Sequence, residues 1–331
     1  MKILSLFDGI SCARVALERA GIPVELYYAS EVDKYAIQIA QKNYPDTIQL
    51  GDVRNVITWY RIMDNKVGQI GLLVGGSPCQ DLSISKKNRK GLDGERSGLF
   101  WEYVRILKEV KPRYFILENV NSMPKEAKRI ITETLGVEPI MINASLVSAQ
   151  NRKRLFWVGE RVDNRNIGHW FDGQYAKVNI SQPEDKGILL KDILETKDFY
   201  GLYSDYNNST TFDKTRTIGT GCGITRSSTC QQVITKPVRI GKIGKGGQGD
   251  RVYSIEAKSV NLSALGGGRG AKTGLYAVKD FVRKLTPVEC ERLMTLPDRY
   301  TEGVSNNQRY KMLGNGFVVD VVAHILKGIA N

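Results

Sequence analysis

The run Leu72-Leu73-Val74-Gly75-Gly76-Ser77-Pro78-Cys79-Gln80 constrains the fold most. An apolar stretch that stops at Gly-Gly-Ser-Pro reads as a buried strand running into a loop, because glycine relaxes the backbone and proline cannot continue a strand ladder. Cys79 then stands at the carboxyl end of that strand. In an open parallel α/β sheet this is the edge where ligands and chemistry gather. A cysteine presented there is a candidate nucleophile if a neighbour lowers its pKa or completes its reaction. The competing reading is a small buried hydrophobe in a tight turn.

Strand-and-turn segments flank that run. Lys2 to Phe7 reads as a strand, Asp8-Gly9-Ile10-Ser11 as a turn and Ala13 to Ala20 as a helix, the opening of a nucleotide-binding α/β unit. The turn lacks a GxGxxG fingerprint, so no pyrophosphate is implied. A second strand, Glu25 to Ser30, ends at Glu31-Val32-Asp33. Glu31 thus lies about 20 residues after the first turn, where it either accepts hydrogen bonds from ribose hydroxyls or caps the helix Lys34 to Asn43. Gly51-Asp52-Val53 offers Asp52 to an adenine amino group.

Leu99 to Lys111 has helical spacing and stops before Pro112. Tyr114 to Leu117 is another buried strand, with Glu118-Asn119-Val120 at its carboxyl end, so two parallel strands bring Cys79 and Glu118 to one sheet edge. A charge in such a place needs a partner. Further on, alternation along Gln150, Arg152 and Arg154 puts their side chains on one face of a strand that continues into the apolar Leu155 to Val158. Thr286, Pro287 and Glu289 spell a helix start with a capping box, and Gly314-Asn315-Gly316-Phe317 opens a final apolar helix, Val318 to Ile329.

Charge narrows the partner. The chain carries +13, and Lys214 to Lys284 holds 14 basic against 3 acidic residues, so nearly all of the surplus lies in one segment. A polyanion such as nucleic acid accounts for one-sided charge better than solubility does. The same segment is glycine-rich, notably at Gly244 to Gly249 and Gly266 to Gly270, which lets backbone approach a groove closely while Lys242, Lys245, Gln248, Arg251, Arg269 and Lys272 reach phosphates or base edges. The loop after Cys79, with Gln80, Ser83, Ser85, Lys86, Lys87 and Arg89, reads as a mobile lid over substrate phosphates or as a solvated surface loop.

Five cysteines without a CxxC pair indicate reduced thiols, and two histidines make a metal centre or a histidine base a poor expectation. The N-terminus does not read as a signal peptide and no run reads as a membrane span, so a cytoplasmic location is expected.

Taken in order, Phe7-Asp8-Gly9, Glu31, Gly51-Asp52-Val53, Gly76-Ser77-Pro78-Cys79-Gln80, Glu118-Asn119-Val120, Gln150 to Arg154, Leu285 to Pro297 and Gly314-Asn315-Gly316 resemble the DNA (cytosine-5)-methyltransferase family, in its small prokaryotic and phage form. One departure is Ser11, which stands where the family commonly has a second glycine. The resemblance implies a Rossmann-like α/β methyltransferase domain over 1–165, closed by 301–331, and a smaller, irregular, β-rich target-recognition domain over 166–300 that ends with the 285–297 motif. It implies S-adenosylmethionine as methyl donor, leaving as S-adenosylhomocysteine, held by Phe7, Asp8, Gly9, Ile10, Glu31, Val32, Asp52, Val53, Pro78, Leu99, Asn315, Gly316 and Phe317. It implies Cys79 as nucleophile, Glu118 as the group at cytosine N3, and Arg154 with Arg152 at O2, acting on double-stranded DNA as a monomer without a metal. Two alternatives stand beside it: a tRNA cytosine-5 methyltransferase of the same fold, whose Cys-Phe-Thr signature is not found here, and a non-enzymatic DNA-binding protein, which would not need Cys79, Glu118, Arg152 and Arg154 together.

Overall fold

The computed structural model describes residues 1–56, 69–78, 98–162, 174–195, 210–212, 224–226, 232–234, 236–244, 247–264, 270, 272–279 and 281–330. The chain folds into two compact units, Met1–Ile142 with Lys153–Gln182 and Val322–Asn331, and Asn143–Arg152 with Pro183–Val321.

The first unit is built on β1 (Lys2–Leu6), β2 (Leu26–Ser30), β3 (Ile48–Gln49), β4 (Leu72–Gly76), β5 (Tyr114–Val120), β6 (Ile140–Asn143), β7 (Lys153–Val162) and β8 (Gln174–Lys177). Their order is β3-β2-β1-β4-β5-β7-β6, with β8 on β7. β3, β2, β1, β4 and β5 are parallel neighbours, and β7 is antiparallel to β5. The order reverses between β1 and β4. There successive loops diverge to opposite faces and leave a crevice at the strand carboxyl ends.

Apolar residues dominate these strands because helices cover the sheet. Leu4, Leu6, Leu73, Phe115, Leu117 and Trp157 are buried with Phe100, Tyr103 and Leu107 of α3 (Leu99–Val110) and Ile131 and Leu135 of α4 (Lys125–Leu135). α2 (Lys34–Asn43) begins where Asp33 accepts from the N–H groups of Tyr35 and Ala36, at 3.0 and 3.4 Å, so Asp33 rather than Glu31 caps it. α1 (Cys12–Arg19) starts from Ser11 at φ 59, a glycine-like conformation in which the serine hydroxyl donates to Asp8 at 2.6 Å. That bond supports serine in this conformation.

The second unit is β-rich, as the sequence suggests. β9 (Thr210–Phe212), β12 (Arg239–Ile243), β13 (Arg251–Ser254), β14 (Leu275–Val278) and β15 (Phe281–Arg283) form a sheet in the order β15-β14-β13-β12-β9, and β10 (Ile224–Arg226) pairs with β11 (Gln232–Ile234). Ile243, Val252, Leu275 and Val282 of this sheet are buried together. The capping box at Thr286 starts α5 (Pro287–Leu293), and Glu289 also grips Arg283 through two 2.7 Å bonds deep in the unit. α6 (Asn306–Asn315) follows, and α7 (Val319–Ala330) passes into the first unit from Val322 on. By length and composition Asn306–Ala330 is apolar enough to cross a membrane, contrary to the sequence expectation, but most of it is buried inside the protein, as in a core helix.

Candidate active site

At the carboxyl edge of the first unit, Gly76 of β4 lies in register with Glu118 of β5. Gly75 lets the strands close up here, since a Cβ on it would stand 2.8 Å from the Leu6 carbonyl oxygen. Ser77 is buried, and the Asn119 amide nitrogen donates to its hydroxyl at 3.1 Å, which fixes the turn into Pro78. Arg154 of β7 sits opposite Val120, and its Nε reaches Glu118 Oε1 at 2.8 Å; both side chains are about 15% exposed. A carboxylate and a guanidinium are thereby presented together at an accessible edge. Glu118 lies within β5 rather than beyond its end. Cys79, the next residue after Pro78, lies outside the described residues, as do Gln80, Ser83, Ser85, Lys86, Lys87, Arg89, Lys245 and Arg269.

The turn after β1 is held from two sides. Glu31 Oε2 accepts from the Gly9 N–H at 2.8 Å, while Oε1 accepts from Val32 and Asp33 at 2.7 and 2.9 Å. Gly9 has φ 60 and open space where a Cβ would project. Val32 is 70% exposed, an apolar face beside a carboxylate that keeps accepting capacity for hydroxyls. Phe7 takes φ 56, so the chain bends sharply before Ile10, which is buried. Asp8 differs from the expectation: it is buried, its oxygens accept from Ser11 and Tyr27 at 2.6 Å each, and it shapes the turn from within rather than facing outward. Burial pushes its carboxyl above the ordinary carboxylate range.

Asp52 starts a short turn containing the buried Val53, and it accepts from the Arg54 N–H at 3.0 Å and from its guanidinium. Arg54 holds the Asp52 carboxyl below its usual range. Leu99 opens α3, whose Arg105 donates to the Val53 carbonyl at 3.2 Å. The ends of β1, β2, β3 and β4 thus bring the turn 7–10, Glu31, Val32, Asp52 and Pro78 to one edge of one sheet.

The second unit places Arg152 differently from the sequence reading. β7 begins at Lys153, so Gln150 and Arg152 precede it and the three residues do not alternate along one strand. Gln150 forms a bridge with Ser259 and accepts from the Leu262 N–H at 3.3 Å. Arg152 is buried, and its guanidinium donates to Asn261, Leu262, Gly314 and Gly316. Asn315 is the last residue of α6, and Gly316 and Phe317 lie between α6 and α7. Lys242 of β12 is cross-strand from Arg251 of β13, Gln248 sits in the short turn joining them, and the Lys272 carbonyl accepts from Ser263 at 3.0 Å. Among the described residues no group of three or more His, Cys, Asp or Glu could hold a metal ion.

Comparison with known proteins accords with this geometry. A family model for C-5 cytosine-specific DNA methylase matches residues 1–331. The Type II methyltransferase M.HhaI of Haemophilus parahaemolyticus is 32% identical over 341 residues, covering 100% of this chain and 94% of the relative. The orphan methyltransferase M.SPRI of Bacillus phage SPR is 25% identical, covering 99% of this chain and 97% of that one. Among solved structures, Dnmt2 methyltransferase of S. pombe superposes with a TM-score of 0.62 at 17% identity, over 98% of this chain and 96% of that chain. The Entamoeba histolytica methyltransferase EhMeth gives 0.66 at 15%, over 99% and 97%. These two likenesses concern the fold alone, which is a Rossmann-like methyltransferase fold.

Proposed function

The chain belongs to the C-5 cytosine-specific DNA methylase family and is a DNA (cytosine-5-)-methyltransferase, and from that premise we propose how its residues carry out the reaction and on what substrate. The proposal is methyl transfer to C5 of a cytosine turned out of a specific double-stranded DNA sequence. The observation that carries it is the Glu118–Arg154 pair, on the strand whose neighbour delivers Gly76, three residues before Cys79.

Cytosine C5 is a weak nucleophile. The Cys79 thiolate adds to C6, forming an S–C6 bond and moving the C5=C6 electron pair toward C5 as an enamine. Glu118 holds a proton against N3, stabilising the charge that enters the ring, while Arg154 donates to O2. S-adenosylmethionine, when bound, supplies an electrophilic methyl group on a sulfonium. Once C5 carries that methyl, loss of the C5 proton to a base re-forms C5=C6 and expels the Cys79 thiolate. Since C6 is shielded in a duplex, the base is extruded first.

The residues at the β1–β4 edge suit the donor: Glu31 for the ribose hydroxyls, Asp52 for the adenine amino group and Val32 for the adenine face. Phe7, Gly9, Ile10, Val53, Pro78 and Leu99 are assigned to the donor as well, as are Asn315, Gly316 and Phe317. Asp8 supports them indirectly. We assign catalysis to 1–165 with 301–331 and target recognition to 166–300, with Lys242, Gln248, Arg251 and Lys272 toward DNA, a monomeric enzyme, and a cytoplasmic location on DNA in a bacterial cell or phage-infected host. Transfer of labelled methyl groups from S-adenosylmethionine to duplex DNA, abolished by Cys79→Ser, tests the reading. Labelling of tRNA but not duplex DNA would turn it toward the RNA substrate.

A further inference from the structure

We infer that Asn261, a residue of the basic, glycine-rich segment, is a positioning residue for Gly314–Phe317, the end of α6 and the residues after it, acting through Arg152. The inference rests on the proposed assignment of Asn315, Gly316 and Phe317 to S-adenosylmethionine. Two independent observations within the second unit carry it.

The first is the fork of Arg152. One terminal nitrogen donates to Asn261 Oδ1 at 3.0 Å and to the Leu262 carbonyl at 3.4 Å. The other donates to the Gly314 and Gly316 carbonyls, at 3.1 and 3.0 Å. A guanidinium is planar and rigid, so fixing one nitrogen fixes the direction of the other. Asn261 and Leu262 thereby aim the pair of bonds that brackets Asn315. Arg152 is only 4% exposed, where an arginine needs its acceptors.

The second is close backbone approach. A Cβ on Gly314 would lie 2.4 Å from the Ala264 nitrogen and 2.7 Å from the Ser263 carbonyl carbon. No side chain fits there, so the 261–264 strip and the C-terminal end of α6 are locked together with their backbones touching. Ser263 in turn donates to the Lys272 carbonyl at 3.0 Å. A segment whose flanks face the nucleic acid in our assignment is therefore the mould for part of the cofactor site, and donor affinity depends on a residue that touches neither donor nor base.

The test is S-adenosylmethionine binding by titration calorimetry on the full-length chain, with Asn261→Ala and Asn261→Asp beside wild type. Asn261→Ala removes the acceptor, and we expect binding weakened about fivefold, the effect of one hydrogen bond; Asn261→Asp keeps the oxygen and should restore it to within about twofold. In activity assays the Ala variant should raise KM for the donor with kcat little changed, a split that general loss of stability does not produce. Equal binding by wild type and Asn261→Ala, or equal weakening by both variants, overturns the inference. Wild-type protein that takes up no donor instead removes the cofactor assignment, and the inference with it.

Discussion

Arg154 Nε lies 2.8 Å from Glu118 Oε1, joining adjacent antiparallel strands at the sheet edge that delivers Pro78. The pair does two things at once. It supplies each half-buried charge with its counterion, and it holds the two groups within the span of one pyrimidine.

Glu118→Gln keeps the shape and one acceptor but removes the counterion of Arg154 and a group that can share a proton with N3. Turnover is expected to fall about 10²- to 10⁴-fold, while donor binding changes little, because the role proposed for Glu118 is at the cytosine rather than at the donor. Steady-state kinetics with calorimetric binding check this; a variant within a few-fold of wild-type turnover would deny Glu118 a part in the chemistry.

Glu31→Gln puts an amide donor where three backbone N–H groups converge, at 2.7 to 2.9 Å. One of those contacts becomes donor against donor, so the turn at Gly9 loosens and a hydroxyl acceptor is lost. Donor affinity is expected to drop about tenfold, as for one or two lost hydrogen bonds. Unchanged affinity by calorimetry would move the ribose elsewhere.

Asp8 makes stability depend on pH. Its folded pKa is raised by burial, despite hydrogen bonds from Ser11 and Tyr27 that act the other way. A raised folded value means that the native state binds the proton more tightly than the unfolded chain does. The associated stability is fully present below the unfolded pKa and is lost as pH rises through the folded one. Asp8→Asn lacks this loss, so its melting temperature relative to wild type should climb as pH rises above the ordinary carboxylate range. A pH-independent difference contradicts the assignment.

Arg283 and Glu289 form a two-bond ion pair in which the side chains are 4% and 0% exposed. Arg283→Met strands the carboxylate in the interior at a cost of about 3–5 kcal/mol, and Glu289 also caps α5 and accepts from the Glu195 N–H. We expect a much lower denaturation midpoint in urea, with the second unit affected first. A midpoint close to wild type would mean that the pair is replaceable.

Much of the frame was legible because it rests on local chemistry. Leu99–Val110 follows from helical spacing, and the helix at Pro287 from Thr286 and Glu289, each within a few residues of its cause. Cys79 and Glu118 could be set at one edge because parallel strands end alike, and the Gly76–Glu118 register agrees for the residues that lead to Cys79. Long-range partners were hidden. The acceptors of Arg152 are about a hundred residues or more distant in sequence, and nothing near it signals that β7 starts one residue later.

The charge argument misread two residues for the same reason. Lys258 is buried and donates to the carbonyls of Ser145, Ser148 and Ile188, at 2.6, 3.2 and 2.6 Å, and Arg283 is buried against Glu289. Composition counts both toward a DNA-facing surplus, whereas the fold uses them as internal pins. Asp8 shows the converse: its motif suggests the cofactor, but Ser11 and Tyr27 turn it inward.

The most direct test of the central claim is mass spectrometry of the protein after reaction with S-adenosylmethionine and a target duplex carrying 5-fluorocytosine, whose C5 substituent cannot leave as a proton. The account predicts a stable protein–DNA adduct, mapped to the peptide containing Cys79 and missing in Cys79→Ser. Efficient methylation of ordinary target DNA with no adduct on the fluorinated one, or an adduct on another residue, would contradict it.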